Sequence, residues 1–228
     1  MSFILPHKVE RIEAPFVVAC EGYSDVCLVD KLLEQRGITN CRVGCPSRTG
    51  VGGEGKDYLN KYLSAIDFAS RKVPRRTMRG LLLVVDADES PAEAFSAACE
   101  ALAFAQFPLP DSAFAQKDEA GMRTAVYIVP GKGESGTLEH LLLRSAFENA
   151  PASKACVDTF LACVGRTANE KSNTIAKMGM SALVAASFPT NPWATPGTLL
   201  QSNDNDLISF DSEYFKDLAD FLAGFCSV

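Results

Sequence analysis

Apolar runs of about five residues, each closed by glycine or by charged residues, alternate along the chain with stretches whose apolar positions return every three or four residues. The first pattern marks strands buried on both faces of a parallel sheet, the second marks helices lying against such a sheet. Phe16–Cys20, Leu81–Val85 and Ala125–Val129 are the strong strand runs, and Cys41–Gly44 is a weaker one. Between the first two strands, Ser24 caps a helix that runs to about Arg36 and stops at Gly37. Tyr58, Leu59, Tyr62, Leu63 and Ile66 then form one face of a second helix, which the glycine-rich loop Thr49–Gly55 opens. Pro91 suits the first turn of a third helix, and the Phe107-Pro108-Leu109-Pro110 stretch ends it. Residues 137–147 form a fourth. Repeated strand–helix units predict a mostly parallel sheet with right-handed crossovers.

From Pro151 onward no strong strand pattern appears. Helices are expected over residues 152–164, 169–187 and 213–224, the last with Phe215, Leu218, Leu222 and Phe225 at helical spacing, and Trp193 falls in a proline-rich loop. The expected architecture is three-layer α/β/α and Rossmann-like. Its core spans residues 1–150, and a helical C-terminal extension over 151–228 packs on that core to make one structural domain overall.

Composition narrows the choice of partners. The chain of 228 residues is 47% hydrophobic and 22% charged, enough to build a core, and its net charge is −6. A protein that coats nucleic acid without specificity would be basic, so any nucleic-acid contact here is local or metal-assisted. The eight cysteines include no Cys-x-x-Cys pair, and His7 and His140 follow no zinc spacing; reduced, mostly buried thiols in a cytoplasmic protein are expected. No signal peptide and no membrane-spanning apolar stretch is evident.

Two acidic phrases carry the chemistry. Glu21-Gly22-Tyr23-Ser24-Asp25 follows the first strand and Asp86-Ala87-Asp88-Glu89 follows the 81–85 strand. In open parallel sheets, sites form just past the carboxyl ends of the strands. If these two strands are neighbours, Glu21, Asp86 and Asp88 meet in one crevice, where a divalent cation, Mg²⁺ or Mn²⁺, would relieve their repulsion. Asp-x-Asp also serves as a capping loop before Pro91, and Asp25 also fits a first-turn carboxylate favoured by the helix dipole.

The combination of strand-Glu-Gly-x-x-Asp at 16–25 with strand-Asp-x-Asp at 81–88 resembles the Toprim domain. That domain is shared by topoisomerases, bacterial primases, small ribonucleases and OLD-type nucleases. The segment Tyr127-Ile128-Val129-Pro130 leading to Gly136-Thr137-Leu138-Glu139-His140, with the closing Phe210-Asp211-Ser212-Glu213 before a terminal helix, is similar to a small prokaryotic Toprim-related family. The resemblance implies a Toprim-like fold in which Asp86 and Asp88 hold Mg²⁺ and Glu21 is a metal ligand or a general acid/base. It further implies that Asp25 takes a second ion or a water, and that Glu139 completes a second metal site. Glu89-Ser90-Pro91 stands where many Toprim domains have a nearby glycine. The implied activity is metal-dependent hydrolysis of DNA or RNA phosphodiesters. The alternative is a non-catalytic module that binds metal, nucleotide or nucleic acid, with small-molecule phosphotransfer a further option. A homo-oligomer is compatible with either.

Positive charge must meet the phosphates. Arg48, Lys56 and Lys132 follow strands and are expected on the carboxylate edge, with Lys132 also a catalytic candidate. The denser run Arg71, Lys72, Arg75, Arg76 and Arg79 precedes the 81–85 strand. Five strand residues span roughly 17 Å, so this run belongs to the opposite edge. Gly50 to Asp57 nearly spells a phosphate-binding Walker loop, but Asp57 replaces the required hydroxyl and would repel phosphate.

Overall fold

The computed structural model describes residues 4–5, 11–48, 53, 55–73, 77–166, 171–188, 191–202 and 206–227. The side chains of Arg48 and Lys56, and Arg75 and Arg76 altogether, lie outside the described residues, as does most of the Thr49–Gly55 loop. In chain order the elements are β1 (Phe16–Cys20), α1 (Tyr23–Gln35), β2 (Cys41–Gly44), a 3₁₀ turn (Pro46–Arg48), α2 (Lys56–Arg71) and β3 (Gly80–Asp86). There follow α3 (Pro91–Phe104), β4 (Gln116–Glu119), β5 (Met122–Val129), α4 (Leu138–Asn149), α5 (Pro151–Cys163), α6 (Ser172–Ser187), α7 (Pro196–Gln201) and α8 (Glu213–Phe225).

The five strands form one sheet in the order β2-β1-β3-β5-β4. All neighbours are parallel except β4, which returns against β5. The order explains where a site forms. The chain leaves β1 through α1 toward β2, then crosses back through α2 to lay β3 on the other side of β1. At such a reversal the two connections pass to opposite faces, and a cleft opens between the strand ends.

Alternation along the strands fixes the layers. Phe16, Val18 and Cys20 of β1 face a cluster with Leu82, Val84, Ala125 and Tyr127 beneath α1, α4 and α8. Val17 and Ala19 face the other side with Leu81, Leu83, Val126 and Ile128, under Leu59, Tyr62, Leu63 and Ile66 of α2 and Ala94, Ala98 and Leu102 of α3. The result is a three-layer α/β/α, Rossmann-like molecule. The helices after residue 150 share the first cluster through Val157, Leu161, Met180, Leu183, Leu199, Leu218 and Phe225. Phe225 meets Phe16 of β1 edge-on at 5.6 Å, and its carbonyl accepts a 2.8 Å hydrogen bond from Arg123 at the start of β5.

Three differences from the sequence reading have local causes. β4, Gln-Lys-Asp-Glu, is wholly polar, so it lacks the alternation that reveals a strand; it pairs at an exposed edge where both faces meet water. β5 starts at Met122 rather than Ala125 because the turn at Gly121, with φ of +79°, folds it directly onto β4. α7 is a six-residue helix inside the proline-rich loop, started by Pro196 and capped by the Thr195 hydroxyl accepting from Thr198 N–H. All eight cysteines are free, and Cys20, Cys27, Cys41, Cys45 and Cys226 are buried. Among the described residues, no helix is long and apolar enough to cross a membrane.

Candidate functional site

β1 and β3 pair in parallel with Cys20 opposite Val84, so Glu21 comes level with Val85 and Asp86 stands one position farther out. The two acidic phrases therefore leave the sheet at the same edge. A crevice of about 480 Å³ opens there, lined by Glu21, Asp25, Asp86 and Glu139 together with Tyr23, Ser24, Gly55, Leu138, Lys177 and Thr195. Four carboxylates that are far apart in sequence share it.

Each of three carboxylates is held by the start of a helix. Asp25 is the third residue of α1, and its Oδ2 accepts the Gly22 N–H at 3.0 Å. Asp86 Oδ1 accepts the Leu138 N–H at 2.9 Å, the first amide of α4. Glu139, one residue on, accepts from the Thr137 hydroxyl at 2.7 Å. Unpaired amides and the dipole at helix starts favour negative charge, so α1 and α4 both point a positive end at the crevice. The capping role and the crevice role of Asp25 are thus one and the same placement. Gly55, at φ +86°, caps α2 in a backbone state open to glycine, and its N–H bonds the Glu21 carbonyl at 3.3 Å, which brings the α2 start to the rim.

Even so, crowding dominates the electrostatics. Burial, reinforced by the charges of Glu21 and Glu139 and opposed by the Gly22 amide, raises Asp25 to about 7. Burial likewise raises Asp86 well above the usual carboxylate range, with Asp25, Glu139 and Asp88 adding to the push and the Leu138 amide opposing it. Oε1 of Glu21 is buried in the same place.

The other expected residues are placed as follows. Asp88 sits at φ +50°, a state that Asp tolerates better than most residues, and exchanges backbone hydrogen bonds with Gly136 at 2.8 and 2.7 Å. That bridge ties the Asp-x-Asp turn to the start of α4. Its Oδ1 accepts from Asn173 of α6 at 3.1 Å, so Asp88 flanks the crevice rather than lining it. Lys132 is exposed in the loop after β5, with Nζ 5.9 Å from the centre of the Phe114 ring, and does not line the crevice. Lys56 begins α2 directly after Gly55, and Arg48 ends the 3₁₀ turn. In the basic run, Arg71 pairs with Asp67 at 2.8 Å and Lys72 lies over Phe68 at 4.5 Å, while Arg79 precedes β3 at the far edge. His140 completes a reciprocal cap: its Nδ1 accepts the Thr137 N–H at 3.1 Å, which leaves Nε2 as the protonated nitrogen facing Ser172 Oγ at 2.9 Å. Burial and Arg144 lower its pKa, while Glu139 acts the other way.

Lys177 and Thr195 line the crevice, and neither was legible in the sequence. Both come from the region after residue 150, where helical periodicity shows which residues are buried but not which strand end they reach. A lone lysine on an exposed helix face carries no signal of its own.

An all-oxygen donor set of this kind suits a hard divalent cation such as Mg²⁺ or Mn²⁺. Glu21, Asp25, Asp86 and Glu139 are the residues that would hold it. As placed, no group of three or more His, Cys, Asp or Glu side chains among the described residues stands in metal-holding geometry. The hydrogen bonds to Gly22, Leu138 and Thr137 pull individual carboxylates toward their own helix starts, so the set is matched in chemistry and not drawn together.

Fold and site together define a class: a Rossmann-like α/β protein with a carboxylate-lined crevice at the switch point of its sheet. Residues 15–227 match the family described as protein of unknown function (DUF3226), and the chain belongs to that family. No curated protein and no solved structure matches it.

Proposed function

We propose that this protein is a Toprim-like binding module whose crevice takes a divalent cation, Mg²⁺ or Mn²⁺, and through it a phosphate group of nucleic acid. The observation that carries the reading is the β1–β3 register, which delivers Glu21 and Asp86 to one edge beside Asp25 and Glu139. Four carboxylates in one crevice repel one another and repel phosphate; a bound cation offsets both effects and offers the phosphate oxygens a positive partner. The chain's own part is to orient these acids. The α1 and α4 starts fix Asp25 and Asp86, the Asp88–Gly136 bridge holds the two turns together, and Lys177 of α6 adds a positive charge to the lining.

Phosphodiester hydrolysis is the second reading. Glu21 favours it, as a carboxylate with one buried oxygen that follows β1 directly, a placement suited to moving a proton at the reacting phosphate. Titration calorimetry tests the first reading: Mg²⁺ and Mn²⁺ bind the parent protein, and Asp86→Asn or Glu21→Gln weakens binding about tenfold or more while the circular dichroism spectrum is unchanged. Equal affinity in parent and variants defeats the site. Incubation of the parent with labelled DNA and RNA in Mn²⁺ decides between the readings, since cleavage that both variants lose makes the module a nuclease.

A further inference from the structure

We infer that the wall of the crevice built by the C-terminal helices recognises a phosphorylated nucleoside unit, with Lys177 meeting the phosphate and Trp193 stacking on the base. The inference rests on the reading of the crevice as a cation-and-phosphate site and names what lies beyond the phosphate.

Lys177 projects from α6 into the same crevice as the four carboxylates. Among the described residues its ammonium forms no ion pair, so a positive group stands available beside an acidic site. A cation held by the carboxylates and an ammonium in the same crevice would both offer positive charge to one phosphate.

Trp193 is the only tryptophan in the chain and is 82% exposed. Such a residue is ordinarily well covered, because its large ring gains most from leaving water. It lies two residues before Thr195, a lining residue, and two residues of chain span at most about 7 Å. The loop that carries it is pinned. Ala194 N–H donates to the Asn191 carbonyl at 3.0 Å, closing a turn around Trp193. Gly197 N–H donates to Ser24 Oγ at 3.1 Å, and a Cβ at Gly197 would come within 3.3 Å of Ser24 and Tyr23, so the loop rests against the start of α1. An exposed indole on an anchored turn, two residues from a lining residue of that crevice, offers a stacking platform for a base. A crevice of about 480 Å³ is of the size that ligand sites occupy.

Because Trp193 is the only tryptophan, tryptophan emission excited selectively over the five tyrosines reports on this position alone. In Mg²⁺, adenosine monophosphate or a short single-stranded oligothymidylate is expected to quench it, whereas ribose phosphate binds without quenching. Quenching by the mononucleotide alone assigns the wall to free nucleotides, and quenching by the oligonucleotide alone assigns it to strands; either result supports the inference. Followed by anisotropy of a labelled ligand, Trp193→Ala loses about tenfold in affinity and Trp193→Phe much less. Lys177→Ala loses about tenfold and Lys177→Arg keeps most of the affinity. Unchanged emission with both the mononucleotide and the oligonucleotide bound, or Trp193→Ala binding as the parent does, overturns it. Calorimetry with Mg²⁺ alone separates the two levels. Mg²⁺ binding with no nucleotide binding refutes the wall and spares the cation site. Absent Mg²⁺ binding refutes the cation site, and quenching that persists in chelator then still supports the stacking role of Trp193.

Discussion

Asp25 shows how one residue serves two purposes at a cost. Its side chain closes the start of α1 through the Gly22 N–H, and its burial beside Glu21 and Glu139 raises its pKa from 3.8 to about 7. The unfolded chain releases this proton near pH 4 and the folded protein only near pH 7. Between those values the native state holds the extra proton, so stability attributable to Asp25 falls as pH rises from about 4 to about 7 and then levels off. Asp25→Asn keeps an oxygen for the Gly22 amide and removes the titration. Without divalent cations, its melting temperature is therefore expected to match the parent near pH 4 and to exceed it by several degrees, on the order of 5 °C, at pH 8. Mg²⁺ should narrow that gap at pH 8 by favouring the charged parent site. Thermal unfolding of both proteins across this range checks the point, and a gap independent of pH contradicts it.

Among the elements, β1 organises the molecule, because it lies between β2 and β3 and ends at the crevice. Its first residue, Phe16, packs on Phe225 of α8 and crowds Gly80, where a Cβ would approach the Phe16 ring to 2.6 Å. Phe225→Ala is expected to cost about 3–5 kcal/mol, since it empties a fully buried position against the central strand. Denaturant unfolding measures this, and a loss below about 1 kcal/mol would mean that α8 is peripheral. These elements also show what the sequence made legible. Period and punctuation located β1, β3 and both acidic phrases, because a doubly buried strand followed by acids leaves a local mark. The polar strand β4 left none, and its pairing depends on β5 beside it. Lys132 follows a strand as expected, yet following a strand fixes only the sheet edge. The loop beyond Pro130 turns it toward Phe114, away from the lining residues. Lys177 and Thr195 reach the crevice only through tertiary packing of α6 and of the turn before α7, which no local pattern encodes.

At the scale of the whole molecule, the sheet reversal between β1 and β3 creates the crevice and the C-terminal helices wall it. Residues 151–228 contribute Leu199, Leu218, Leu222 and Phe225 to the same apolar cluster as β1, and Lys177 and Thr195 to the crevice. A chain ending at residue 150 would expose that face of the cluster, so it is expected to lose cooperative unfolding, and a sharp calorimetric transition in such a chain would contradict this. The proposed function depends on whether acids from both phrases of the crevice act together on one cation. Anomalous diffraction from a crystal soaked in Mn²⁺ tests this most directly. A peak is expected inside the crevice, within bonding distance of carboxylate oxygens from Asp86 and from at least one of Glu21, Asp25 and Glu139. Mn²⁺ bound only elsewhere on the molecule, with the crevice acids still tied to their own helix starts, would contradict it.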